Sequence, residues 1–146
     1  MNPEEPLTLP ATLDSLAQVR QFIRDAAERA GVDQRRTYNL QLALDEITTN
    51  VIVYGYASMK QQGTIVLHAE QQGDALVVTL EDWGPPFDPR TRELPDEEDL
   101  SRPLEERGIG GLGIFLAVKG VDRFDYRREG DRNLNIFEVR VGAGTA

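Results

Sequence analysis

The chain has 146 residues, 40% of them hydrophobic and 28% charged, a size and mix that suit one domain around one sizeable core. Its formal net charge of −9 argues against nucleic acid and against an anionic membrane surface, since both call for a basic face, and is compatible with a protein partner carrying a basic patch. The absence of cysteine excludes disulfides and thiolate metal sites, and no apolar run nears the roughly 18–20 residues that span a bilayer.

The first residues, "MNPEEPLTLP", are acidic and lack the basic and apolar regions of an export signal, so a cytoplasmic protein is expected. Within them "PLTLP" predicts a short strand closed by Pro10. A helix follows over "TLDSLAQVRQFIRDAAERAG", with Leu16, Val19, Phe22, Ile23, Ala26 and Ala30 at helical spacing. Thr12 or Asp14 would cap its start and Gly31 its end. Asp33 would cap a second helix running to about residues 54–56, with a core stripe of Leu40, Leu44, Ile47, Val51 and Tyr54. Two strands come next, "GTIVLHAEQ" and "ALVVTLEDW", joined by "QQGD". Alternation along the second puts Asp82 on the side of Leu76, Val78 and Leu80, so an acid points inward at the strand's end.

Residues 84–108 have no usable period, five prolines and an acidic bias, the marks of a lid, a binding loop or a disordered stretch. The glycine cluster of "GIGGLGIFLAVKG" then opens a short apolar helix ending near Gly120. The chain closes with a hairpin: "DRFDYRR", a turn around "EGDRN", and "LNIFEVRV". This order predicts an α/β fold, more closely an α+β two-layer sandwich. A mixed, mostly antiparallel sheet would be covered on one face by about three helices. No internal repeat or linker divides residues 1–146, so they are read as a single domain.

Three places carry chemistry. Glu46 and Asn50 are four apart and share a helix face, in a row with Leu42 and Val53 at the margin of the apolar stripe. A carboxylate suits a general base, and an amide oxygen suits a hard cation. Taken alone, the row is equally a solvated helix edge. In "EDWGPPF", an inward Asp82 followed by Gly84 can accept hydrogen bonds from a ligand, though Asp, Gly and Pro also make ordinary turns. In "RGIGGLGIF", glycines let backbone N–H groups approach an anion at a helix N-terminus. No Lys-Ser/Thr pair follows, so it is not a Walker loop, and no strand leads into it as a dinucleotide fingerprint needs. Its ordinary reading is a connector. His68 reads as a surface position in mid-strand, and Trp83 as core or pocket wall.

The three occur in a familiar order. Glu46-xxx-Asn50 resembles the N box of the GHKL superfamily, the Bergerat-fold ATPases; Asp82-x-Gly84-xx-Phe87 resembles its G1 box, and Gly108-x-Gly110-Gly111-Leu112-Gly113 its G2 box. Within that superfamily the chain is most similar to the stand-alone serine/threonine kinases that act as anti-sigma factors. Its shortness, the two leading helices, "LALDEITTNVIVYGY" and the closing "YRREGDRN" hairpin all fit that branch, and the resemblance covers nearly the whole chain.

The resemblance implies a histidine-kinase-like ATPase fold that uses ATP and Mg²⁺. It implies that Asp82, with Gly84 and Phe87 in its box, accepts the adenine amino group. Asn50 would hold Mg²⁺ and Glu46 would be the general base. Gly108, Gly110, Gly111 and Gly113 would line the triphosphate, with the helix from Leu112 pointing at it, and residues 88–107 would form the ATP lid. Arg107, flanking the glycine run opposite Lys119, is assigned a phosphate contact from its charge alone. The implied function is an anti-sigma regulatory factor that phosphorylates a serine or threonine of a small antagonist protein in a partner-switching system. Such a protein would also bind a sigma factor, and a homodimer is compatible. Two alternatives remain: a nucleotide-gated binding module that transfers nothing, and the catalytic domain of a histidine kinase. The latter would need a dimerisation helix pair bearing a phosphoacceptor His, for which His68 is badly placed.

Overall fold

A computed structural model describes residues 5–56, 63–89 and 118–141, apart from the side chain of Tyr54. Strand β1 (Leu7–Pro10) is followed by a 3₁₀ turn at Leu13–Ser15 and helices α1 (Leu16–Ala30) and α2 (Gln34–Asn50). A π-helical stretch, Val51–Tyr56, continues α2. Strands β2 (Thr64–Gln72), β3 (Ala75–Asp82), β4 (Arg123–Glu129) and β5 (Arg132–Arg140) complete the described elements. Residues 118–120 are helical, which agrees with a helix ending at Gly120; the earlier part of the expected helix lies outside the described residues, as does most of the expected lid.

The sheet order is β1-β2-β3-β5-β4. The sequence predicts a mixed, mostly antiparallel sheet; every described strand pair is antiparallel, so no parallel pair is found among the described residues. Two-residue turns set that direction. Gln72 pairs with Ala75 across Gly73-Asp74, and Glu129 pairs with Arg132 across Gly130-Asp131. The second turn is shorter than "EGDRN" suggests, so Arg132 and Asn133 belong to β5.

The start of α1 corrects one expectation. Neither Thr12 nor Asp14 caps it: the 3₁₀ turn feeds directly into the helix, and Ser15 spends its hydroxyl on the Pro10 carbonyl at 2.7 Å. Its end is as expected. Gly31 is left-handed at φ 84°, which an L side chain resists, and its N–H donates to the Ala27 carbonyl at 2.9 Å. Asp33 caps α2 by accepting from the Arg36 N–H at 2.8 Å. That bond, with the Arg36 guanidinium, holds its carboxyl below the usual range.

Val19, Ile23, Ala26 and Ala27 of α1 and Leu40, Ala43, Leu44 and Ile47 of α2 pack on Ile65, Leu67, Leu76, Val78, Leu80, Phe137 and Val139 of the sheet. Val51, from the expected α2 stripe, is only half-buried. The opposite face carries Val77, Thr79, Ile136, Arg123 and Arg127, which line a shallow groove. No helix among the described residues is long and apolar enough to cross a membrane.

Candidate functional site

Three rungs of the sheet build the site. On the helix-covered face, Val78 pairs with Phe137 and Phe137 with Phe124, and the two rings meet edge-on at 5.1 Å. One rung along, Leu80 pairs with Asn135 and Asn135 with Tyr126. At the next rung Asp82 pairs with Asn133 and Asn133 with Arg128. Strand alternation keeps all nine side chains on one face, so the core passes from hydrocarbon to amide to carboxylate over five residues of β3.

At the polar end Asp82 is 2% exposed. Its Oδ1 accepts from the Gly84 N–H at 2.8 Å and from Asn133 Nδ2 at 2.9 Å. Its Oδ2 is buried and has no partner among the described residues. Burial pushes the carboxyl up in pKa, while Asn133, the Gly84 N–H and Arg128 pull it down. Gly84 is tight: a Cβ there would stand 3.1 Å from Asp82 Oδ1 and 3.9 Å from the Gly55 Cα. The end of β3 is thus packed directly against the π-helical stretch. Tyr56 reinforces that contact, accepting from the Trp83 N–H at 2.7 Å and donating to the Thr64 carbonyl at 2.8 Å. Phe87, grouped with Asp82 and Gly84 in sequence, stands 38% exposed beyond them.

From the helix side comes Asn50, the last residue of α2, 8% exposed. Its Nδ2 donates to the Glu46 carbonyl one turn back at 2.8 Å. That bond fixes the amide, so the atom left over is Oδ1, buried and without a partner among the described residues. Glu46 itself is exposed, on the same face. Its carboxyl is raised above its ordinary pKa, first by partial desolvation and then by the charge of Asp45. Asp45 is engaged elsewhere, with both oxygens on Arg20 Nε at 3.1 and 3.0 Å, which ties α2 to α1.

The two buried oxygens Asp82 Oδ2 and Asn50 Oδ1, like Thr48 Oγ1 and Asn135 Oδ1, have no partner among the described residues, and as acceptors they can be satisfied by a donor or a cation. Asp82 Oδ2 fits an amino N–H, and Asn50 Oδ1 fits a hard cation such as Mg²⁺. Glu46, Asn50, Asp82 and Gly84 are therefore placed by elements in contact with one another. Arg107, Gly108, Gly110, Gly111, Leu112 and Gly113 lie outside the described residues. His68 is on the strand surface, 3.2 Å from Glu81, as expected.

Sequence reasoning missed Asn133, Arg128, Tyr126 and Tyr56. Asn133, 3% exposed, donates through Nδ2 to Asp82, to the Gly84 carbonyl at 3.2 Å and to that of Pro85 at 3.1 Å. Its Oδ1 accepts from Arg128 Nη1 at 3.2 Å and from the Tyr126 hydroxyl. The available signal was the parity of β5: with Phe137 and Val139 inward, Asn135 and Asn133 must be inward too.

A model of the family described as the histidine kinase-like ATPase domain matches residues 9–137. The chain belongs to that family. Its match to the histidine kinase-like ATPases takes in Glu46, Asn50, Asp82, Gly84 and the glycine segment. The serine-protein kinase RsbW of Halalkalibacterium halodurans is 27% identical over 124 residues, covering 84% of this chain and 75% of that one. RsbW of Listeria monocytogenes is 31% identical over 111 residues, covering 75% and 70%. A structure of the RsbU and RsbW domains of a Mycobacterium tuberculosis protein superposes with a TM-score of 0.60 at 20% identity. That match covers 93% of this chain and 32% of the other. The histidine kinase AdeS of Acinetobacter baumannii gives 0.51 at 14% identity, over 92% of this chain and 68% of that one. The structures speak for the histidine kinase-like ATPase fold; these sequence relatives are serine-protein kinases named RsbW.

Proposed function

We propose that the chain is an ATP- and Mg²⁺-dependent serine/threonine protein kinase of the anti-sigma class, phosphorylating a small antagonist protein in a partner-switching system. The observation that carries the reading is Asp82: a buried carboxylate with one oxygen bonded and the other left over, at the polar end of an otherwise apolar face. A ligand with an amino donor satisfies it, and adenine is such a ligand. Asn50 Oδ1 would hold Mg²⁺, which supplies charge neutralisation for the phosphates.

The remaining work falls to this chain's own side chains. Glu46 is exposed one turn before Asn50, where an incoming hydroxyl could reach it, and its raised pKa makes it a better proton acceptor than an ordinary glutamate. It takes the hydroxyl proton of the acceptor serine or threonine as that oxygen bonds to the γ-phosphorus of ATP and the bond from phosphorus to the bridging oxygen breaks, releasing ADP. Phosphoryl transfer asks mainly for positioning and charge stabilisation, so few protein groups are needed. Gly108, Gly110, Gly111 and Gly113, with the helix from Leu112, complete the proposal as backbone donors to the triphosphate, and Arg107 as a cation beside it. The names of the RsbW relatives support the kinase reading.

The test is transfer of labelled phosphate from ATP to a small antagonist protein of a partner-switching system, drawn from the same genome, with mass spectrometry locating it on a serine or threonine. Tight ATP binding and antagonist binding with no transfer would leave a nucleotide-gated module instead.

A further inference from the structure

We infer that Asn133 is a specificity-determining residue that makes the site read adenine rather than guanine, by occupying one oxygen of Asp82. The inference rests on Asp82 being the nucleobase contact. A carboxylate with both oxygens available matches a pair of parallel donors, such as the N1–H and 2-amino group of guanine. A carboxylate with one oxygen available matches a single amino donor.

The geometry selects the second case. Asp82 Oδ1 receives two hydrogen bonds, from Asn133 Nδ2 at 2.9 Å and the Gly84 N–H at 2.8 Å. An oxygen has two lone pairs, so it has no capacity left. Oδ2 alone remains, buried and without a partner among the described residues. One of the two occupying donors is backbone and cannot be varied. The other is a side chain, and its orientation is fixed. Asn133 faces a carboxylate and the Gly84 and Pro85 carbonyls on one side, so its NH₂ must point there. It faces Arg128 and the Tyr126 hydroxyl on the other, so its oxygen must point there. A flipped amide would break every one of these bonds. Arg128 Nη1 also donates to the Gly84 carbonyl at 2.9 Å, tying the β4–β5 hairpin to the turn that follows Asp82.

The experiment is calorimetric titration of Mg·ATP and Mg·GTP into the full chain and into Asn133→Ala, with a thermal melt to establish folding. The parent should prefer ATP. In Asn133→Ala the ratio of GTP to ATP dissociation constants should fall at least about tenfold, the scale of one hydrogen bond to a charged group. A residue that only props up the fold would weaken both nucleotides together and leave the ratio alone. If the alanine variant fails to fold, Mg·ITP, which keeps the N1–H of guanine but lacks its 2-amino group, is titrated into the parent beside Mg·GTP: with one acceptor oxygen available the 2-amino group should add no affinity, and GTP binding at least about tenfold more tightly than ITP overturns the inference. A folded variant with the parent's ratio overturns the role of Asn133 alone. A parent that binds neither nucleotide, or binds them equally, overturns the inference at its root, in the reading of Asp82 itself.

Discussion

Asp45 and Glu46 are adjacent acids with opposite fates. Asp45 turns toward α1 and is held by Arg20 through both oxygens, whereas Glu46 faces the margin with its pKa raised by partial desolvation and by that neighbouring charge. If Glu46 takes the acceptor's proton, its contribution exists only in the transition state. Glu46→Gln should therefore bind Mg·ATP nearly as the parent does yet transfer phosphate at least about a hundredfold more slowly, the low end of general-base effects. A base works only when ionised. The parent's turnover should thus fall with pH as pH drops through a carboxyl value above the ordinary 4.5, and Glu46→Gln should lack that limb. Parent-like turnover in Glu46→Gln, read by phosphate incorporation, would place the base elsewhere.

At the scale of elements, the site depends on the end of β3 meeting the continuation of α2. Tyr56 makes that joint with one hydroxyl, between the Thr64 carbonyl and the Trp83 N–H. Tyr56→Phe leaves both backbone groups unpaired in a largely buried place and should cost about 1–3 kcal/mol of unfolding free energy by denaturant titration. Nucleotide affinity should weaken with it. A stable variant with parent affinity would mean the joint is not needed. Much of this architecture was legible. Asp82 was readable as inward because β3 alternates cleanly from Leu76, and Glu46 and Asn50 because a four-residue spacing fixes a helix face. Asn133 was not, because "EGDRN" reads as turn chemistry throughout. The turn uses only Gly130 and Asp131, with Gly130 at φ 62°, and the parity of β5 is set further along by Phe137. The π-helical stretch was hidden for another reason: it lies against the Gly84 turn, a contact distant in sequence that no local pattern in "VIVYGY" encodes.

For the molecule as a whole, the site is a place where folding accepts a cost. Burial raises the Asp82 pKa, so its ionised form is disfavoured in the folded chain. Stability from this group is fully present below the unfolded carboxyl value of 3.8 and is lost as pH rises through the higher folded value. Asp82→Asn removes that loss. Without nucleotide it should melt at or above the parent's temperature near neutral pH, and its advantage should vanish in acid. Its affinity for ATP should nonetheless fall by about 1–3 kcal/mol, through loss of a charged acceptor. A variant that melts well below the parent at neutral pH would show that the charge is stabilising. The proposal that Asn50 and Asp82 bind one nucleotide through a cation and an amino group is tested most directly by calorimetry. ATP would be titrated into the folded parent with magnesium and with magnesium chelated, and the pair of titrations repeated on Asn50→Ala. One ATP per chain is expected, bound markedly more tightly with magnesium in the parent and with little magnesium effect in Asn50→Ala. No binding by a folded parent, or a magnesium effect that survives the loss of Asn50, would contradict it.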